Sequence, residues 1–313
     1  MDVRGGMTSR LLPSLLSRLT TRLLALLAAV TALLFLLRAA PGDAVDLVTT
    51  NDQLRSRMAD AWELDTALPV AVGRALTGAW GTSWTVRPGQ PVANLMGDGL
   101  QASLPVLGGA FLLMILAGLG LGVRSADRGS IRPSVSVLPV FLLGWSLVIG
   151  LNELAFSAMR HGWIDRPAWF SLPDTPSLLR YLLSIAVLAT GSGNVRAFSR
   201  GVSQSLSQHR ASAAIEALTA RGMPTSRVLW RLVLADVAAL TAERTAYLFG
   251  GLVVLERVFA MPGLGNLFFE ACVQRDQPVV LASGVLAAAA VVGLRFAADG
   301  LRLLADPRLR ETT

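Results

Sequence analysis

The stretch GLQASLPVLGGAFLLMILAGLGLGV, Gly99 to Val123, contains no charged side chain. A bilayer core about 30 Å thick takes about 20 apolar residues of helix, so this window is long enough to cross it. Pro133 to Asn152 and Gln277 to Leu294 are likewise free of charge. Two further runs carry charge only near their ends. Leu19 to Arg38 holds LLALLAAVTALLFLL after Arg22, and Ser177 to Val195 is interrupted only by Arg180. The first run also fits a secretory signal, with Arg before it and Ala39 and Ala40 after it; the many spans that follow favour a retained helix.

Leu232 to Leu255 is harder, because Glu243 and Arg244 sit near its middle. Each charge costs about 2.5 to 3.5 kcal/mol at the centre of a span, and the Leu, Phe and Val residues return about 0.3 to 0.6 each, for a sum near zero. Such a helix does not insert well alone, so it belongs inside a bundle with its polar groups away from lipid. The two charges are adjacent, so on a helix they diverge by about 100° and pair poorly with each other. They are candidates for lining a pathway or for contacting a neighbouring subunit; a satisfied interhelical pair is the structural alternative.

The expectation is an all-α membrane protein with six transmembrane helices, at about 19–38, 99–123, 133–155, 177–198, 232–255 and 277–301. The first span and a large loop to residue 98 form one part, and 99–313 a five-helix core. Composition agrees: 53% of the 313 residues are hydrophobic and only 16% charged, against roughly 25% charged in a soluble domain. All 28 basic residues are Arg. Alternate connections, beginning with the N-terminus, carry more than two Arg for each acidic residue, whereas acidic residues predominate in the others. The positive-inside rule therefore puts both termini and the segment 199–231 in the cytoplasm, and the loop 39–98 outside. This bias explains the net charge of +7 without nucleic acid.

Several chemistries find no support. One cysteine, Cys272, excludes an internal disulfide and any cysteine-cluster metal site; His161 and His209 have no ligand spacing. No GxSxG occurs, which argues against an intramembrane hydrolase. No GxxxxGK[ST] occurs either: Gly191-Ser192-Gly193 lacks the lysine, so ATP would be bound elsewhere. No metal site, catalytic residue or cofactor is expected.

Within 199–231 lies AAIEALTARGMPTSRVLWRLVL, Ala213 to Leu234. An Ala-rich helix stopped by Gly222, with Pro224 just beyond, predicts a compact helix-turn-helix at the membrane surface. Later comes GGLVVLERVFAMPGLGNLFFEACVQRDQPVV, Gly250 to Val280, and near the end Asp306-Pro307-Arg308 with Arg310. Leu37 to Asp43 (LRAAPGD), Leu64-Asp65, Leu68-Pro69, Gly81-Thr82-Ser83, Pro91-Val92, Pro139, Phe141, Gly144 and Gly162-Trp163 complete a pattern running almost end to end.

These residues resemble the permease subunits of bacterial peptide/nickel-type ABC importers. The resemblance implies the type I importer permease fold in the inner membrane, without enzymatic activity of its own. It implies a second homologous permease, two cytoplasmic ATPase subunits and an extracytoplasmic solute-binding protein as partners. Glu216, Ala217 and Gly222, with Arg221, match the family's EAA loop, which couples to the ATPase; Leu218 stands where that pattern has a second Ala. Pro262, Gly263 and Gly265 match a short re-entrant segment at the external mouth. The connection between Gly122 and Pro139 is shorter than the family's. Short peptides lead as cargo, with nickel or another metal chelate and small glycosides as alternatives. A proton-coupled secondary transporter using Glu243 or Glu153 is the alternative from another class, distinguished by whether uptake needs ATP.

Overall fold

The computed structural model describes residues 5–39, 45, 66–128, 138–163 and 178–305. These residues form α1 (Gly5–Ala39), α2 (Leu68–Thr77), α3 (Val92–Arg128), α4 (Val140–Arg160), α5 (Leu178–Thr190), α6 (Asn194–Arg210), α7 (Ala213–Ala220), α8 (Ser226–Val258), α9 (Leu264–Val273) and α10 (Gln277–Ala305). Six crossings are long and apolar enough for a bilayer: α1, α3, α4, the pair α5–α6, α8 and α10. The six expected spans are all present. The only bridge of β type among the described residues is an isolated antiparallel contact between Thr82 and Pro91.

Helix ends differ from the charge-free windows. α3 continues to Arg128 and α6 to Arg210, beyond the expected ends at 123 and 198. A charge ends a hydrocarbon-compatible window but not a helix, and Arg is a good helix former. The segment 199–231 is therefore not all connection, since its first third prolongs α6. The fourth crossing is broken at Gly191–Gly193, where Ser192 (φ 52°) and Gly193 (φ 72°) leave helical conformation. Leu138 accepts the freed amide of Ser192 at 2.8 Å, and Asn194 Nδ2 donates to the Leu188 carbonyl at 3.2 Å. The break is thus satisfied by protein, as backbone at membrane depth must be. The start of the third span up to residue 137, Ala40 to Asp43, Leu64-Asp65 and Asp306 to Arg310 lie outside the described residues.

α3 is the central post. Lipid tails are as apolar as leucine, so close packing through small residues holds such helices together. Gly109, Gly118 and Gly122 on α3 receive Ile185, Phe198 and Val202 of α5 and α6; a Cβ on Gly118 would fall 2.5 Å from the Phe198 ring. Met114, Leu188, Phe198, Leu248, Leu252 and Leu255 fill the shared core of α3, α5, α6 and α8. α1 packs on α10, where Leu33 lies against Gly284, and Val30, Leu34, Val72 and Val285 join α1, α2 and α10.

Candidate functional site

α8 runs the depth of the bundle, from the α7 hairpin at one end to the turn Met261–Gly265 at the other. The two ends are built by different physics.

At the turn end, Ala260 (φ 48°) reverses the chain after α8, and the Met261 amide donates back to the Glu256 carbonyl at 2.8 Å. α9 then begins beneath the side chain of Glu256, which is 1% exposed. One carboxyl oxygen accepts the amides of Gly265 at 2.8 Å and Asn266 at 3.0 Å. The other accepts the Ser103 hydroxyl of α3 at 2.6 Å, and Ser103 in turn accepts the Leu264 amide at 2.7 Å. Glu256 and Ser103 thus satisfy three amides of a helix start that would otherwise be buried and orphaned, and an acidic group suits that end of the helix dipole. Ser184 of α5 adds a contact to Met261 Sδ at 3.1 Å.

This arrangement explains the glycines. Gly263 is extended (φ 175°), a conformation open to any residue, but a Cβ there would lie 2.2 Å from the Glu256 carboxyl. A Cβ on Gly265 would lie 2.5 Å from Val253 Cα of α8. The MPGLG turn is therefore a close-packed joint of α3, α8 and α9, with Pro262 leading into it.

A second buried carboxylate secures the loop preceding α3. Asp276, 0% exposed, accepts the Ser83 hydroxyl at 2.5 Å and the successive amides of Trp84, Thr85 and Val86 at 3.0, 2.9 and 3.0 Å on one oxygen. Consecutive amides converging in this way form an anion-binding nest. The sequence alone assigns no role to Glu256, Ser103 or Asp276. Its one visible signal is a carboxylate at the end of an apolar run, seven residues before Gly263.

At the other end, α7 is eight residues long. Its stop is the predicted one: Gly222 has φ +68°, its amide donates to Thr219 at 2.9 Å, and the Met223 amide donates to Leu218 at 3.0 Å. That pair of bonds is the Schellman closure, for which glycine is the low-cost residue. Of α7 only Ile215 is buried; Glu216, Ala217 and Arg221 are exposed, and so are Met223, Val228 and Trp230 close by. Helices this short are marginal in water on their own, and this one offers an apolar, small-residue surface with few intrachain contacts.

The hairpin's flanks are tied. Asp236 on α8 accepts from Ser205 at 2.8 Å, lies 2.9 Å from His209 Nε2 on α6, and reaches Arg302 on α10 at 3.4 Å. Asp299 of α10 pairs with Arg22 of α1 at 2.8 Å.

Between the ends, Glu243 is exposed and Arg244 half-buried. They point apart as their adjacency requires, and Arg244 stacks on Tyr247 at 5.2 Å. The structure brings neither of them to α7 or to the glycine turn. His161 is exposed at the end of α4, against Trp163.

Residues 131–311 match the family model described as binding-protein-dependent transport system inner membrane component. That is more than half of the chain. The chain belongs to this family. It is 28% identical to an oligopeptide transport system permease protein, AppB, of Bacillus subtilis, over 93% of this chain and 98% of that one. It is also 28% identical to a dipeptide transport system permease protein, DppB, of Lactococcus lactis, over 95% of this chain and 98% of that one, and to a putative peptide permease of Brucella ovis over 92% and 96%. As an inner membrane component of a binding-protein-dependent system, the permease is a multi-pass membrane protein. It supplies the passage, working with ABC-transporter partners. Catalysis is not the part such a component plays.

Proposed function

We propose that this permease forms half of a translocation pathway for short peptides, paired with a second homologous permease and driven by two ATPase subunits. In this reading the α7 end and both termini face the cytoplasm, as the Arg bias of their connections favours. The glycine turn faces outward, toward the solute-binding protein that delivers cargo.

The observation that carries the proposal is α7. A helix of eight residues with Ile215 as its one buried side chain, yet stopped by a well-formed Schellman turn, is shaped to dock into another protein. Ala213 and Ala217 allow close approach, and Glu216 and Arg221 offer polar contacts. ATP-driven closure of the ATPases moves α7; its flanking helices α6 and α8, tied at Asp236, carry the motion to the pathway. Glu243 and Arg244 line that pathway on α8, and Pro262, Gly263 and Gly265 form its outer gate. The peptide names of the relatives support the cargo class.

Deleting residues 213–222, or replacing Glu216 by Arg, is expected to abolish peptide uptake and co-purification of the ATPases while leaving membrane insertion intact. Normal ATP-dependent uptake by either variant would end the coupling assignment. Uptake by the unaltered transporter that runs on a proton gradient without ATP would replace the whole reading by a secondary transporter.

A further inference from the structure

The middle of α8 presents two charges that the described residues leave unanswered. Arg244 Nε is buried without a hydrogen-bond partner, and its guanidinium rests on Tyr247, which is 61% exposed. Glu243 is exposed. At 1.5 Å rise per residue, Glu243 lies about 10 Å along the helix from Asp236 and about 20 Å from Glu256, the carboxylates that mark the polar networks of the two ends. The pair therefore sits at membrane depth, where an ionisable side chain faces a partner or a watery path rather than lipid.

Neither charge meets an opposite one among the described residues, and neither serves the other. Tyr247 is one turn from both, at i+4 from Glu243 and i+3 from Arg244, so the three side chains make one patch. The helix face continuing from Glu243 is small, with Ala246 and Gly250 exposed, and nothing lies within 4 Å of where a Cβ on Gly250 would be. There is room here for a solute. A metal cation alone answers only Glu243, and a neutral glycoside answers neither charge. A peptide with free ends answers both.

We infer that Glu243, Arg244 and Tyr247 form a way-station for zwitterionic peptides, with the α-ammonium on Glu243, the α-carboxylate on Arg244 and the main chain over the Tyr247 ring. This rests on the reading of the chain as a peptide permease whose α8 lines the path.

The test uses the whole transporter with its ATPases and binding protein, reconstituted in vesicles, and three probes: trialanine, N-acetyl-trialanine and trialanine amide. The binding protein is the same throughout, so each variant is compared with the unaltered permease for the same probe. Glu243→Gln is expected to lower trialanine and trialanine amide uptake about tenfold, the effect of one lost charge pairing, and to leave N-acetyl-trialanine unchanged. Arg244→Gln is expected to spare only the amide, and Arg244→Lys to restore most trialanine uptake. Removing a mid-span charge eases insertion, so the Gln variants are expected to be made. An equal loss for all three probes, or no loss, overturns the inference. So does a Gln variant that no longer assembles with the second permease, which would assign the charges to the subunit interface. If the unaltered transporter imports none of the three probes, it is the peptide reading that fails, a result separate from any difference among variants.

Discussion

Ser103 on α3 and Glu256 on α8 meet at 2.6 Å, although 153 residues separate them in the chain. Their meeting fixes where α9 starts, because between them they accept the amides of Leu264, Gly265 and Asn266. Replacing Glu256 by Ala strands two buried amides and the Ser103 hydroxyl. At about 1 kcal/mol or more for each stranded group, the loss comes to about 3 kcal/mol. Glu256→Gln, whose side-chain oxygen still accepts, is expected to lose less than half of that. Denaturant unfolding of the purified permease in detergent measures both. An Ala variant as stable as the unaltered permease would show that the capping contributes nothing.

Gly263 and Glu256 are in direct competition for space, so their substitutions are coupled. Gly263→Ala is expected to destabilise by about 1–3 kcal/mol through overpacking. In a Glu256→Ala background the same change meets an open site, and most of that penalty disappears. A double-mutant cycle on stability reads the coupling. Strict additivity would mean that the methyl clash is relieved elsewhere.

Gly222 has a different reason for being glycine. No atom crowds its Cβ position, so only its φ of +68° matters. Gly222→Ala is expected to weaken the turn by about 1–2 kcal/mol, seen as hydrogen exchange about 5 to 30 times faster at the amides of Gly222 and Met223. Gly222→Asn, which tolerates that conformation, is expected to exchange nearly as slowly as the original. Peptide uptake should follow the same order.

Asp276→Ala removes the acceptor shared by Ser83 and three successive amides. Exchange at Trp84, Thr85 and Val86 is expected to rise while amides of α7 stay as they were. Uniform acceleration along the chain would instead indicate global loosening and argue against a local tether.

Five of the six crossings were legible because hydrocarbon tolerates few charges, and a long run free of charge but for its ends has little use outside a bilayer; α8, with Glu243 and Arg244 at its middle, was legible only as a helix that needs a bundle around it. The hairpin around α7 was legible because Gly222 and Pro224 act locally, within a few residues of the helix they end. The fate of Arg200 and Arg210 was not, since an Arg that closes a membrane window continues a helix perfectly well in water. Nor was the interruption at Ser192: the GSG triplet resembles a phosphate loop in composition, and its distortion depends on Leu138, far away in the chain. Glu256 and Asp276 were hidden for the same reason. Ser103 for Glu256, and Ser83 to Val86 for Asp276, lie on distant segments, and even the near amides of Gly265 and Asn266 reach Glu256 only through the reversal at Ala260.

The tether between Ser83 and Asp276 also sets an order in time. Ser83 leaves the ribosome 193 residues before Asp276. At about 5–20 residues per second, the loop waits about 10 to 40 s for its acceptor. During that interval the nest formed by Trp84, Thr85 and Val86 has no carboxylate to close on, so the permease's first loop is among the last parts of the newborn chain to settle.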